Sequence, residues 1–272
     1  MPDVAKVKAT LIGGIAVLLW GPLALFTTLT GKVPPFQLAA LAFGIATAFA
    51  IIKWVWCGDD IARHLRQPIG AWVTGVSGLF GYHFFYFMAL RNAPPVEAGL
   101  IAYLWPLLIV VGSALLPGER LRWWHVLGAA AGLCGSALLI TDGRGLAGFK
   151  SEFTLGYLMA LGCAVTWSVY SILNRRFADV PTDAVGGFCG ATALLALICH
   201  LIFETPVWPA GWIEWAGVVG LGLGPVGVAF FVWDYGTKHG DIQVLGAMAY
   251  AAPLISTVLL ILFGKGEPTW IV

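Results

Sequence analysis

The chain has 272 residues, with 15 Lys and Arg against 14 Asp and Glu, so 11% are charged and the formal net charge is +1. Apolar residues make up 59% before 35 glycines are counted, whereas a soluble domain carries about 25% charged residues. These figures exclude a water-soluble globule, a disordered chain, which would be polar and poor in aromatics, and, with no glycine period of three, a collagen-like fibre; with no basic stripe, nucleic acid is excluded as a partner.

About 20 mostly apolar residues suffice to cross a bilayer as a helix. Nine such runs are read, at roughly 9–29, 36–56, 69–90, 96–116, 123–141, 154–174, 183–204, 212–235 and 243–263. The first follows Lys6 and Lys8, as a secretory signal would. Its apolar stretch is too long and no small-residue cleavage site closes it, so it is expected to be a retained span. Trp20 sits at its middle. The second run starts after Lys32-Val33-Pro34-Pro35 and ends at Trp54 and Trp56. The third follows Arg63-His64-Leu65-Arg66-Gln67-Pro68 and carries Gly78, then Tyr82, His83 and Tyr86. Tyr82 and Tyr86 share a face at i, i+4. The fourth contains Ala102-Tyr103-Leu104-Trp105-Pro106.

The fifth run follows Gly118-Glu119 and Trp123-Trp124. Its Gly128, Gly132 and Ser136 form a small-residue face that permits close helix packing, within one molecule or between two. In the sixth, Cys163, Trp167, Ser171 and Asn174 lie on one face. The seventh ends near His200, read as structural. The eighth contains Pro225 and ends by Asp234, read as an interfacial group near Lys238. The ninth contains Tyr250-Ala251-Ala252-Pro253. Cys57, Cys134, Cys163, Cys189 and Cys199 are odd in number and form no CxxC pair, so they read as small core hydrophobes.

Loop cations set the orientation. With the N-terminus inside, the inner face holds Lys6, Lys8, Lys53, Arg63, Arg66, Arg120, Arg122, Arg175, Arg176 and Lys238. The outer face holds Lys32, Arg91, Arg144, Lys150 and Lys265. The bias places the N-terminus in the cytoplasm. Trp54, Trp56, Trp123, Trp124, Trp208, Trp212, Trp215 and Trp270 stand at span ends or in loops, with Trp72 and Trp233 also near ends, as suits the membrane interface. Trp20, Trp105 and Trp167 alone fall well inside spans.

A shift of 147 residues aligns the two halves. Trp20 then falls on Trp167, Gly78 on Pro225, and Arg91 on Lys238. Tyr103-x-x-Pro106 falls on Tyr250-x-x-Pro253, and one residue of slippage sets Gly118-Glu119 on Gly266-Glu267. Five spans per half is an odd number, so the repeats are inverted in topology. Residues 1–145 form the first repeat and 146–272 the second. Glu119 precedes the fifth span, so Glu267 is expected to precede a tenth. The fold expected is therefore an all-α polytopic membrane protein with a 5+5 inverted repeat, a ten-helix transporter fold whose tenth helix is largely missing from this chain, as if shortened near its C-terminus.

On these residues the chain resembles the drug/metabolite transporter superfamily, EamA type. Ala102-Tyr103-Leu104-Trp105-Pro106 and Tyr82-His83-x-x-Tyr86 are similar to the YddG-type aromatic amino-acid exporters within it. The resemblance covers essentially the whole chain. It implies a ten-helix bacterial inner-membrane exporter with a central cavity and alternating access, acting on aromatic and other neutral amino acids and on some toxic organic cations.

Ionisable groups at span centres are costly, about 2.5–3.5 kcal/mol, and almost none occur. A mid-span carboxylate driving multidrug antiport is absent. A mid-span cation, which a nucleotide-sugar or phosphate-ester carrier would call for, is absent too. His83 is the most central ionisable residue and the candidate proton carrier; a neutral His bonded to a neighbouring helix is the alternative. Trp20, Tyr82, His83, Tyr86, Tyr103, Trp105, Trp167, Ser171 and Tyr250 are the candidate substrate-binding residues, since aromatic walls suit an aromatic or amphipathic solute. Gly78, Pro106, Pro225 and Pro253 are candidate hinges or gates, because proline frees a backbone carbonyl and bends a helix. Packing alone is an equal reading for any one of these aromatics. The cavity is expected between the first, third, fourth, sixth, eighth and ninth spans.

Gly222-Leu223-Gly224-Pro225-Val226-Gly227 matches a dinucleotide-binding pattern, but it follows no strand. No P-loop, metal cluster or catalytic triad is present, so no cofactor, no metal and no enzyme activity are expected. A polytopic membrane enzyme or a channel remains the reading from another class. Partners expected are a small solute and membrane lipid, with a monomer favoured over a dimer.

Overall fold

The computed structural model describes residues 4–141 and 150–265. Among these residues the secondary structure is helical, and nine helices are long and apolar enough to span a membrane: α1 Val4–Leu29, α2 Pro35–Cys57, α3 Ile69–Asn92, α4 Pro95–Leu115, α5 Trp123–Thr141, α6 Ser151–Phe177, α7 Thr182–Phe203, α8 Trp212–His239 and α9 Ile242–Leu262. In lipid a helix satisfies its own backbone groups, so continuous apolar runs take this form. Local chemistry sets several ends. Pro35 opens α2, and Gly58 closes it in a left-handed conformation at φ 70°, which glycine adopts without steric cost. The Asp241 carboxylate caps α9, accepting the amides of Gln243 and Val244 at 3.1 and 3.2 Å.

Several helices, α6 among them, run longer than the sequence suggests. α1 starts at Val4, so Lys6 and Lys8 belong to it, and α8 continues to His239. Lys238 therefore lies in a helix and not in a loop. It is buried, because Asp234 one turn earlier accepts its Nζ at 2.9 Å.

The repeat is visible in the irregularities. α3 widens into a π-helical turn at Ser77–Gly81 and α8 does so at Gly224–Val228, offset by 147 residues. α4 is interrupted at Tyr103-Leu104 and α9 at Ala249-Tyr250, the same offset within one residue. Lys6, at the start of α1, pairs with Glu119 at 3.6 Å, and Arg175, near the end of α6, pairs with the same carboxylate at 3.1 Å. Equivalent helices α1 and α6 thus run in opposite directions, as inverted topology requires. The Gly266-Glu267 landmark, Arg144 and Trp270 lie outside the described residues.

Helix pairs join the halves. α1 crosses α8 where Gly13 and Gly236 meet so closely that a Cβ on Gly13 would lie 2.8 Å from the Gly236 Cα. The equivalent pair, α6 and α3, meets at Ala160 and Ala89, both fully buried. α2 packs on α7, with the Ala50 Cβ seated against Gly186.

Candidate functional site

The interrupted helices bring Trp20, Trp105 and Trp167 together at mid-span. Trp20 lies 6.0 Å from Trp105 and 5.8 Å from Trp167, centroid to centroid. Its position follows from the π-turn of α8. There the Ala229 N–H skips one residue and bonds Gly224, so the Pro225 carbonyl is left without its helical partner. Trp20 Nε1 donates to that carbonyl at 3.1 Å. The wide turn thus pins α1 to α8 at the centre of the molecule.

Tyr82 packs 5.3 Å from Trp167 and stacks on Tyr86 at 6.1 Å. Tyr103 lies near both tyrosines. His83 is caged by Phe43 at 5.0 Å, Tyr82 at 5.3 Å and Phe230 at 6.2 Å. Its Nδ1 lies 2.7 Å from the Leu79 carbonyl of its own helix, and not of a neighbouring one. A carbonyl only accepts, so Nδ1 carries the proton and Nε2 is left as an acceptor. From Phe80 to Met88 every residue of α3 keeps some accessible surface, whichever way it points. Lipid accounts for one side of a membrane helix, so open space also lies on the inward side.

Two of the nine candidate side chains stand apart. The Ser171 hydroxyl is sealed and accepts Trp233 Nε1 at 3.1 Å. Tyr250 packs with Val110 and Ala129, in a cluster that Tyr103 also touches. Its hydroxyl accepts the Leu107 N–H at 3.1 Å, satisfying an amide orphaned by the break in α4. Of the candidate hinges, Gly78 and Pro225 lie in the two π-turns, while Pro106 and Pro253 follow the two interruptions.

Sequence reasoning missed Trp233, Phe230 and Phe43. Trp233 is only 5.0 Å from Trp20; it is central, and not near a span end, because α8 continues beyond it. The repeat held the signal for two of them: Phe230 and Trp233 stand 147 residues after His83 and Tyr86. Trp54 does stand near the end of α2, but it faces inward and not towards lipid. It is 1% exposed and stacks on His64 at 4.9 Å.

Charge lies at the helix ends. Beside the start of α1, Lys6 and Arg175 share Glu119, Lys6 also pairs with Asp241 at 3.3 Å, and Arg175 donates to the Gly240 carbonyl at 3.1 Å. Asp234 is wholly buried near the same face, accepting from Asn174 at 3.0 Å, Thr182 at 2.7 Å and Lys238 at 2.9 Å. Asp59, His64 and Asp183 could together hold a metal ion, but they lie outside the aromatic cluster and Lys53 already occupies a carboxylate oxygen of Asp183. All five cysteines are free thiols. Two shallow apolar grooves, of about 480 and 310 Å³, line the sides of α3 and α7 and contain no central Trp, Tyr or His83.

Broken helices from two inverted repeats, meeting at an uncharged aromatic cluster at membrane depth, are the build of a secondary transporter. The chain belongs to the EamA-like transporter family, matching it over residues 7–141 and again over 154–272. It is 56% identical to the aromatic amino acid exporter YddG of Ancylobacter novellus, over 97% of this chain and 92% of that protein. It is 26% identical to YddG of Salmonella typhimurium, over 93% of this chain and 87% of that one. A solved crystal structure that is 55% identical superposes with a TM-score of 0.92, covering 98% of this chain and 92% of the other.

Proposed function

We propose that this protein exports aromatic and other neutral amino acids, and related amphipathic metabolites including organic cations, across the bacterial inner membrane. The observation that carries the reading is the central cluster of Trp20, Trp105, Trp167, Tyr82 and Tyr86, with no charged side chain in it. Such walls hold an aromatic ring by stacking and an ammonium by cation–π contact. The identity to a protein named an aromatic amino acid exporter supports the same substrate class. Phosphate esters and nucleotide sugars fit poorly, since nothing at the cluster offers a cation to balance their charge.

In this reading the halves, 1–145 and 146–272, rock against one another around the cluster. The N-terminus is cytoplasmic, as the loop cations favour. The face carrying Lys6, Glu119 and Arg175 is then the cytoplasmic one, and the ion pairs there hold it shut. Gly78, Pro106, Pro225 and Pro253 mark the points that yield. The protein works as a monomer surrounded by lipid. His83, whose Nε2 has no partner among the described residues, is the central group we assign as candidate proton carrier. Counterflow in proteoliposomes with a panel of amino acids, with and without a pH gradient, tests the reading. Uptake of phenylalanine, tyrosine and tryptophan is expected; movement of no neutral or aromatic amino acid would overturn it. A His83→Ala protein that keeps full pH dependence removes His83 from proton transfer.

A further inference from the structure

An indole N–H is a donor only, and a buried one ordinarily finds an acceptor. The four central tryptophans divide on this point. Trp20 Nε1 is committed to the Pro225 carbonyl and Trp233 Nε1 to Ser171 Oγ. Trp105 and Trp167 donate to nothing among the described residues. Their nitrogens also differ from that of Trp54, which is sealed off without a partner. Trp105 and Trp167 are 6% and 3% exposed, and the little surface they keep includes the N–H. The two rings are 6.2 Å apart with planes at 80°. Two donors therefore stay accessible at the centre of the molecule, with no acceptor among the described residues.

We propose that the indole N–H groups of Trp105 and Trp167 bind the carboxylate of the transported amino acid. The inference rests on the proposed function and gives that site its head-group contact. A carboxylate is an acceptor with about four lone-pair positions, so it can take both donors, and hydrogen bonds to an ionised acceptor are about twice as strong as neutral ones. The lack of a mid-span Lys or Arg then has a purpose. Neutral donors hold the anion without the tight ion pair, shielded from water, that would slow its release on the far side. Lys238, further along α8 than Trp233, is already held by Asp234.

The test compares two ligands on the full chain in detergent or nanodiscs. Phenylalanine and phenylethylamine share the ring and the ammonium, and only phenylalanine has the carboxylate. Trp105→Phe and Trp167→Phe keep an aromatic ring and delete the donor. Each is expected to weaken phenylalanine on the order of tenfold more than phenylethylamine, as for loss of a hydrogen bond to a charged group, since any loss of stacking or cation–π contact falls on both ligands alike. Equal losses for both ligands, or no loss for phenylalanine, would overturn the inference. A second measurement does not depend on the variants being stable. In protein labelled with ¹⁵N-tryptophan, saturating phenylalanine should move two central indole N–H resonances downfield, and phenylethylamine should not. No ligand-specific shift would overturn the inference too. If the unmodified protein binds neither ligand, the proposed function fails, and this inference with it; if it binds both equally, the inference alone fails.

Discussion

Asp234 and Lys238 are the most deeply buried ion pair among the described residues. A buried pair adds little over an apolar replacement, but removing one partner leaves an uncompensated charge, at a cost of about 3–5 kcal/mol. Asp234→Ala should therefore unfold at markedly lower temperature, and should strand Asn174 and Thr182 as well. Asp234→Leu combined with Lys238→Met should recover much of the loss. Thermal melting of the single and double variants checks this, and a double variant no better than the single would refute it. Trp20 supplies the second prediction at this scale. Trp20→Phe keeps the ring but frees the Pro225 carbonyl, so stability should fall by about 1–3 kcal/mol, the cost of an unmet buried acceptor. Melting curves measured beside Trp167→Phe, whose N–H is uncommitted, separate the lost bond from the smaller ring.

At the scale of the element, the crossing of α1 and α8 depends on two glycines. With no side chain at Gly13 or Gly236 the backbones approach until a Cβ on either would lie 2.8 or 2.5 Å from the other's Cα. Small residues at such crossings let membrane helices gain packing that lipid cannot supply. Gly13→Val should force the pair apart, cost about 1–3 kcal/mol or more, and abolish export, since Trp20 would lose its place. Gly128→Val on α5 is the control, because a Cβ there meets nothing within 4 Å. Equal melting temperatures for the two variants would contradict this account. The small-residue face read on α5 is used in part within the molecule, where Gly132 receives the Tyr250 ring.

For the whole molecule the ends of the halves matter most. Glu119 joins Lys6 of α1 to Arg175 of α6, and the Lys6–Asp241 pair adds the start of α9. The repeat gives the opposite face no such clasp: the counterparts of Lys6, Arg175 and Asp241 are Phe153, Thr28 and Pro94. Glu119→Gln should loosen only the face with the ion pairs. A cysteine in place of fully buried Ser113, with exposed Cys57 and Cys134 replaced by alanine, should then react several times faster with a membrane-impermeant thiol reagent. High salt should produce part of the same effect, because partly exposed ion pairs are screened. An unchanged rate would show that the ion pairs do not keep this face closed.

How much could be read without the fold depends on whether the cause is local. The nine spans were legible because lipid imposes one rule on every backbone group, and length with hydropathy meets it residue by residue. The repeat was legible because its landmarks, Trp20 with Trp167 and Tyr103 with Tyr250, keep one offset along the chain. Charge placement already argued against a phosphate carrier. Which aromatic residues meet was not legible in the same way. Tyr103 and Tyr250 are equivalent in sequence, yet one lies with Tyr82 and Tyr86 while the other caps the break in α4. Trp20 and Trp167 are equivalent, yet only Trp20 finds a carbonyl. Burial of Lys238 between Asp234 and the Val180 carbonyl, the central place of Trp233 and the commitment of Ser171 likewise depend on partners met in space, some about 60 residues away, or on where a helix stops. The sequence by itself determined a two-repeat membrane transporter with an uncharged centre. Only the tertiary structure decided which side chains hold the bundle together and which two central indole donors find no acceptor among the described residues, because hydrogen-bond partners are chosen in space and not along the chain.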